Sequence, residues 1–277
     1  MPADLRAALR AAAERLAEAG VPSPLHDAEE LAAHSLGIDR RELWRQERVG
    51  TDFAAYVRRR VAREPLQHIT GRAYFRHLTL AVGPGVFVPR PETEVVVEAA
   101  MAAVAGVAAP VVVDLGTGSG AIALAIAQEV PGARVHAVEA DPAAHAWAAR
   151  NAAGSAVDLR LGDMADAFPD LDGRVDLVVS NPPYIPVGAV VRDPEVAAHD
   201  PAPALWSGED GLDDVRVVER VAARLLRPGG TVVVEHADLQ GESAPAVFTA
   251  TGRWTGVADH QDLAGRDRYL TARRVEG

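Results

Sequence analysis

The chain changes its hydrophobic period part-way along. Over residues 4–19, apolar side chains recur at Leu5, Leu9, Ala12 and Leu16, with Arg and Glu between them. That is the spacing of a helix with one buried face. Gly20 and Val21-Pro22 end it. Asp27 is placed to cap a second helix over 28–36, stopped by Gly37. Asp39 is placed to cap a third, running to about Arg48, and Thr51-Asp52 opens a fourth through about Glu64. Short helices on short loops predict a small bundle. Pro65 breaks this pattern. From 74 to 82 the period drops to two, with Leu78, Leu80 and Val82 alternating. Gly83-Pro84-Gly85 reads as a turn and Val86-Phe87-Val88 as a returning strand, so a β-hairpin is expected. In Arg90-Pro91-Glu92-Thr93-Glu94, Pro91 suits the first turn of a helix and the two acids suit its positive end.

Beyond about residue 95, helical and strand patterns alternate, which predicts a mostly parallel sheet with helices on both faces. Strands are expected at 111–115, 134–139, 158–161, 176–180 and 231–235. A final pair, around 255–259 and 268–272, closes the sheet edge, making seven. Pro228-Gly229-Gly230 reads as a tight turn before the fifth. The expected division is a helical domain over 1–72, a hairpin linker over 73–90 and an α/β domain over 91–277.

Four short stretches carry chemistry, each at the C-terminal end of an expected strand, where open α/β sheets bind ligands. Asp114-Leu115-Gly116-Thr117-Gly118-Ser119-Gly120 runs from strand to helix. Glycine is needed there for a sharp turn and for close approach of backbone to ligand. The spacing is G-x-G-x-G and not the dinucleotide fingerprint. It suits a nucleoside with a charged amino-acid tail better than a pyrophosphate. Glu139 ends the next strand, about 20 residues on, where an acid can accept from both ribose hydroxyls. Asp141-Pro142 directly after it reads as a helix cap. Asp163, in Gly162-Asp163-Met164, can accept from an adenine amino group or close an Asx turn in its own loop, and Met164 can lie against the ring.

The fourth stretch is Asn181-Pro182-Pro183-Tyr184. Two prolines cannot continue a central strand, so the chain stops in a stiff corner. Asn181 offers a carbonyl acceptor, the residue before each proline keeps its backbone carbonyl out of a helix, and Tyr184 offers a flat face and a hydroxyl. Together these suit a planar NH2 group.

Composition narrows the choices. With no cysteine and no lysine, disulfides, thiol nucleophiles, Schiff bases and a P-loop lysine are excluded. No apolar run nears the roughly 18 residues of a membrane span, and the acid-bearing amphipathic N-terminus does not resemble a signal, so a cytoplasmic protein is expected. Residues 1–80 hold 13 Arg against 11 acids, and the remainder 15 Arg against 28 acids. So acidic a body is a poor duplex binder. Arg58, Arg59, Arg60 and Arg63 could touch RNA, but the expected reading is a solvated helix face.

The ordered series along one sheet edge resembles a class I S-adenosylmethionine-dependent methyltransferase, and Asn-Pro-Pro-Tyr resembles the enzymes that methylate planar amides or adenine amino groups. Glu64-Pro65-Leu66-Gln67-His68-Ile69-Thr70-Gly71, Val88-Pro89-Arg90-Pro91-Glu92-Thr93-Glu94, Pro203-Ala204-Leu205-Trp206-Ser207-Gly208-Glu209-Asp210-Gly211-Leu212 and Asp262-Leu263-Ala264-Gly265-Arg266-Asp267-Arg268 narrow it. They resemble the release factor glutamine methyltransferases, the PrmC/HemK family, over essentially the whole chain. The resemblance implies a Rossmann-like fold with a helical N-terminal module joined by a hairpin. It implies S-adenosyl-L-methionine as cofactor, S-adenosyl-L-homocysteine as product, no metal, and a monomer acting on the Gly-Gly-Gln loop of peptide chain release factors.

Under that resemblance Gly116, Thr117, Gly118, Ser119, Gly120, Glu139, Asp163, Met164 and Asn181 hold the cofactor. Asn181, Pro182, Pro183 and Tyr184 hold the glutamine amide, with Asn181, Pro182 and Tyr184 catalytic. Glu139 stands where Asp is usual, Met164 where an aromatic is often found, and Ala237 where Gly is usual. His236 is read as structural. Alternative targets are an adenine amino group in nucleic acid or a glutamine on a ribosomal protein. No Lys, Cys or neighbouring His offers a general base. Positioning and electrostatics are therefore expected to carry catalysis.

Overall fold

The structure, a computed structural model, describes residues 3–276 and comprises two compact units. The first holds the chain up to Arg72 together with Val82–Pro84 and Val191–His199. Its helices are α1 (Ala3–Glu18), α2 (Pro24–Leu36), α3 (Phe53–Val61) and α4 (Leu66–Thr70), with a 3-10 turn at Arg40–Arg45. Leu5, Leu9, Ala12 and Leu16 of α1 are buried as their spacing requires, against Ala28, Leu31 and Ala32 of α2. Each leucine so buried contributes about 1.5–3 kcal/mol.

The second helix begins earlier than the sequence suggests, because Pro24 fits the first turn, where its missing N–H costs nothing. Asp27 is therefore no cap. It is buried and accepts from Arg60 Nε at 2.7 Å. Asp39 does cap its turn, accepting from Arg41 N, but the turn is 3-10 and ends at Arg45. The expected solvated arginine face is also corrected. Arg60 is only 4% exposed; besides Asp27 it holds Glu195 Oε1 at 2.8 Å and the Glu64 carbonyl at 3.0 Å. Arg63 shares Glu195, and Arg59 pairs with Glu64. A one-residue view of charge could not foresee partners 33 and more positions away.

The hairpin is built from β1 (Arg72–Phe75) and β2 (Leu78–Ala81). Arg76, in the left-handed region at φ 51°, lies between them. The expected return strand at 86–88 is not a strand, although Val86 and Val88 are buried.

The second unit contains α5 (Glu94–Ala103), β3 (Val111–Leu115), α6 (Ala121–Glu129), β4 (Arg134–Glu139), α7 (Pro142–Asn151), β5 (Asp158–Leu161), β6 (Val175–Ser180), α9 (Asp213–Leu225), β7 (Leu226–Glu235), α10 (Ser243–Thr249), β8 (Trp254–Gln261) and β9 (Asp267–Arg274). The short helix α8 (Pro194–His199) falls in the first unit. The seven strands run in the order β5-β4-β3-β6-β7-β9-β8, parallel except for β9, which is antiparallel to both neighbours. Pro228-Gly229-Gly230 lies within β7, which starts at Leu226 and shifts register against β6 there. The order reverses between β3, which is fully buried, and β6, which is buried at all but Asp176.

Among the described residues, no helix is long and apolar enough to cross a membrane. Arg60→Ala should destabilise the helical unit by about 3 kcal/mol, because it strands the buried Asp27 carboxylate while Glu195 keeps Arg63. Arg58→Ala, on the exposed side of the same helix, should stay within about 0.5 kcal/mol. Denaturant unfolding of the two variants checks this, and equal effects would remove the buried network as a stabilising element.

Candidate functional site

Two motifs leave the sheet side by side. Leu115 of β3 pairs with Ser180 of β6, and Ser180 Oγ donates to the Leu115 carbonyl at 2.7 Å. Adjacent strands lie about 4.8 Å apart, so the glycine loop and the Asn181 corner emerge as neighbours at the switch point.

The loop needs its glycines for backbone reasons. Gly116, Gly118 and Gly120 sit at φ 72°, 58° and 85°. A Cβ at Gly116 or Gly118 would stand in open space, so conformation and not crowding selects glycine there. Gly116 N and Thr117 N donate to the Val138 carbonyl at 3.0 and 2.9 Å. Gly118 N donates to Glu139 Oε2 at 2.8 Å, and Asp141 N donates to Oε1 at 2.9 Å. Glu139 thus ties loop to strand while each carboxylate oxygen keeps acceptor capacity. Asp141 is the helix cap, accepting from Ala143 N and Ala144 N. Ser119 is buried, and its carbonyl accepts from Asn151 Nδ2 at 2.9 Å.

Beneath the loop lies Asp114, fully buried. Its Oδ2 accepts from Thr117 Oγ1 at 2.6 Å and Ala123 N at 3.1 Å, while Oδ1 has no partner. Burial pushes this carboxyl up to about 7. Its unpaired oxygen makes this carboxyl a costly group to bury directly under the loop.

Asp163 and Met164 follow β5. Asp163 is exposed and Oδ1 accepts from Ala165 N at 2.8 Å, so it caps its own 3-10 turn. Met164 is half-buried and packs on the core beneath the sheet edge.

The corner is braced from behind. The Tyr184 carbonyl accepts from Gln240 Nε2 at 3.1 Å, and the same nitrogen reaches the Gly211 carbonyl at 3.2 Å. A Cβ on Gly211 would stand 2.4 Å from the Tyr184 carbonyl oxygen, which forbids any other residue there. Ile185 N donates to Leu205 O, and Ser207 N to Ile185 O, stitching the chain leaving the corner to 205–207. Pro182 is buried. Burial, then the nearby Glu235 carboxylate, raises the Tyr184 hydroxyl above its ordinary value, so it stays protonated.

The sequence reading missed what stands behind Asn181. Its Nδ2 donates to Thr93 Oγ1 at 3.3 Å. The Glu235 carboxyl at the end of β7 interacts with both Thr93 and Asn181, and burial, its largest influence, pushes it up to about 7. Arg268, held by Asp262 Oδ2 at 3.1–3.2 Å, faces Glu235 and Tyr184. The signal was present: a carboxylate closing the apolar run Val232-Val233-Val234 is expensive unless the fold uses it. His236 is fully buried, with Nε2 2.8 Å from Asp259 Oδ1, and plays a structural part. Among the described residues no group of three or more His, Asp or Glu could hold a metal.

Residues 7–71 match the PrmC N-terminal domain and residues 79–193 the methyltransferase small domain. A release factor glutamine methyltransferase of Streptomyces coelicolor is 60% identical over 276 residues, covering 98% of each chain. One from Mycolicibacterium smegmatis is 51% identical, again over 98% of each. A 4-amino-L-phenylalanine/4-methylamino-L-phenylalanine methyltransferase of Streptomyces pristinaespiralis is 49% identical over 80% of this chain and 77% of its own. A crystal structure of a methyltransferase from Pyrococcus furiosus shares the fold, with TM-score 0.51 at 18% identity, covering 73% of this chain and 91% of that one.

Asp114 is a raised acid, so its contribution to stability is present below its ordinary value of 3.8 and lost as pH climbs through about 7. Asp114→Asn should gain on wild type by on the order of 3 kcal/mol between about pH 5 and about pH 8. Denaturant midpoints at the two pH values measure it; a pH-independent difference would refute the buried charge.

Proposed function

This chain belongs to the release factor glutamine methyltransferase family, and on that premise we propose that it methylates the side-chain nitrogen of the glutamine in the Gly-Gly-Gln loop of peptide chain release factors. The pairing of Leu115 with Ser180, which sets a glycine loop beside an amide-accepting corner, carries the reading. S-adenosyl-L-methionine fits the site as donor: it would supply an activated methyl on a sulfonium and leave as S-adenosyl-L-homocysteine. Gly116, Thr117, Gly118, Ser119 and Gly120 would take its amino-acid end, the buried Asp114 holding the loop from beneath through Thr117 Oγ1. Glu139 would accept from the ribose hydroxyls, and Asp163 and Met164 would meet the adenine.

The glutamine nitrogen is a poor nucleophile because its lone pair is delocalised into the carbonyl. Asn181 Oδ1 and the Pro182 carbonyl would accept its two N–H bonds. That turns the nitrogen's face toward the methyl and stabilises positive charge as it grows, and the methylated nitrogen then releases one of its protons to solvent to give the neutral amide. Tyr184, neutral at working pH, would pack the amide plane. Pro183 keeps the corner stiff. The helical unit, residues 1–72, would recognise the factor, the 73–90 segment linking it to the catalytic part. Trp44, 60% exposed beneath Arg45, is the kind of aromatic–arginine pair that anchors interfaces.

A second reading, methylation of a free aromatic amine, is favoured only by the relative at 49% identity; matches over 98% of the chain favour the factor. Labelled cofactor with a purified release factor, its Gln-substituted form and free 4-amino-L-phenylalanine separates the two. Label on wild-type factor alone is expected. Asn181→Ala should lose turnover by roughly a hundredfold with cofactor affinity near normal, since an acceptor aimed at developing charge is worth on the order of 3 kcal/mol. A cofactor Kd that rises in step with lost activity would overturn that role. Trp44→Ala should raise KM for the factor with kcat unchanged; an unaltered KM removes this face from recognition.

A further inference from the structure

A side-chain carboxamide has two chemically opposite ends of nearly the same shape. The reaction above needs the acceptor end of Asn181 to face the substrate, and a rotation of half a turn would present donors instead. Something must decide between them, and the residues that contact Asn181 can. Thr93 is 4% exposed and Glu235 2% exposed. Glu235 is the residue after Val234, which pairs with Ser180, so its strand end adjoins that of Asn181. Ionised Glu235 only accepts, and one of its oxygens, Oε2, has no hydrogen-bond partner. The Thr93 hydroxyl, donating to Glu235, has its lone pairs left for Asn181 Nδ2 at 3.3 Å.

We propose that Glu235 and Thr93 are positioning residues that fix the orientation of the Asn181 carboxamide, holding Nδ2 inside the protein so that Oδ1 faces the substrate amide. The inference rests on the reading of Asn181 as the substrate's acceptor. Only an acceptor-only partner can do this. A protonated Glu235, or a glutamine in its place, can donate to Oδ1 and lets the amide turn over. The wrong orientation sets NH2 against NH2 and leaves the substrate's hydrogens unpaired.

Burial raises Glu235 to about 7, opposed by Arg268 on β9 and reinforced by Glu92 from the turn before α5. Tyr184 also faces it but stays neutral. The competent form is the ionised one, so activity should rise with pH through about 7.

The test uses the full-length protein, labelled cofactor and a purified release factor. Wild-type kcat should climb through that pH, whereas Glu235→Gln should be low and flat, with KM for the factor and cofactor affinity retained. Thr93→Val should lose about tenfold in kcat, the worth of one hydrogen bond of about 1.4 kcal/mol, and Thr93→Ser should restore it. Independently of turnover, the Asn181 side-chain amide resonances, assigned by their loss in Asn181→Ala, should shift with the same midpoint in wild type and not in Glu235→Gln. Should Glu235→Gln fail to fold, the Thr93 pair and the wild-type resonances still decide. An inactive Asn181→Ala beside Glu235→Gln and Thr93→Val of wild-type kcat and pH profile overturns the positioning role alone. An active Asn181→Ala overturns the reading beneath it and the positioning role together. Resonances that ignore pH around the midpoint overturn the role of Glu235.

Discussion

The pairing of two parallel strand ends underlies everything else at this site. Leu115 and Ser180 are partners, and the serine hydroxyl caps the leucine carbonyl. Because the strand order reverses there, no crossover covers the gap between the two chains as they leave the sheet. The glycine loop turns by left-handed residues, the other chain by two prolines. These are the two cheapest ways to stop a central strand abruptly, and each leaves polar groups pointing off the sheet.

The same edge concentrates buried charge. Asp114 and Glu235 sit at the ends of two apolar strands, and burial raises both to about 7. Neither has a guanidinium in full ion-pair contact of the kind that neutralises Asp27 in the helical unit. Arg268 is near Glu235 but its own hydrogen bonds go to Asp262. A fold selected for stability alone would place valine or asparagine at such positions. Groups perturbed in this way cluster at functional sites, and both stand at the edge where the candidate site lies.

How much of this was legible in the chain differs by element. The central strands β3, β6 and β7 could be read because each contains a short apolar run, whereas β5, β8 and β9 are largely polar and were placed by the alternation of helix and strand around them. The glycine loop and the proline corner were legible because few residue types can make those turns. The helical unit was read correctly as helical, but its interior charges were not, since Asp27, Arg60 and Glu195 look like surface residues until the fold brings them together. The hairpin was misplaced because Arg76, with no glycine or asparagine, carries the positive φ. Glu235 could be marked by its place at the end of an apolar run, but its partner could not, and Thr93 carries no local mark at all: their contacts with Asn181 span 54 and 88 positions in sequence.

The bracing of the corner has a consequence for selectivity. Gln240 holds the Tyr184 carbonyl, Gly211 leaves no slack behind it, and the outgoing chain is sewn to 205–207. Such a corner cannot advance to meet its target; the target must come the whole way. With Asn181 and Pro182 as the proposed acceptors it would gauge length: an asparagine, one methylene short, would strand the acceptors at the mouth of the site, and its methylation rate beside that of glutamine reads the gauge directly.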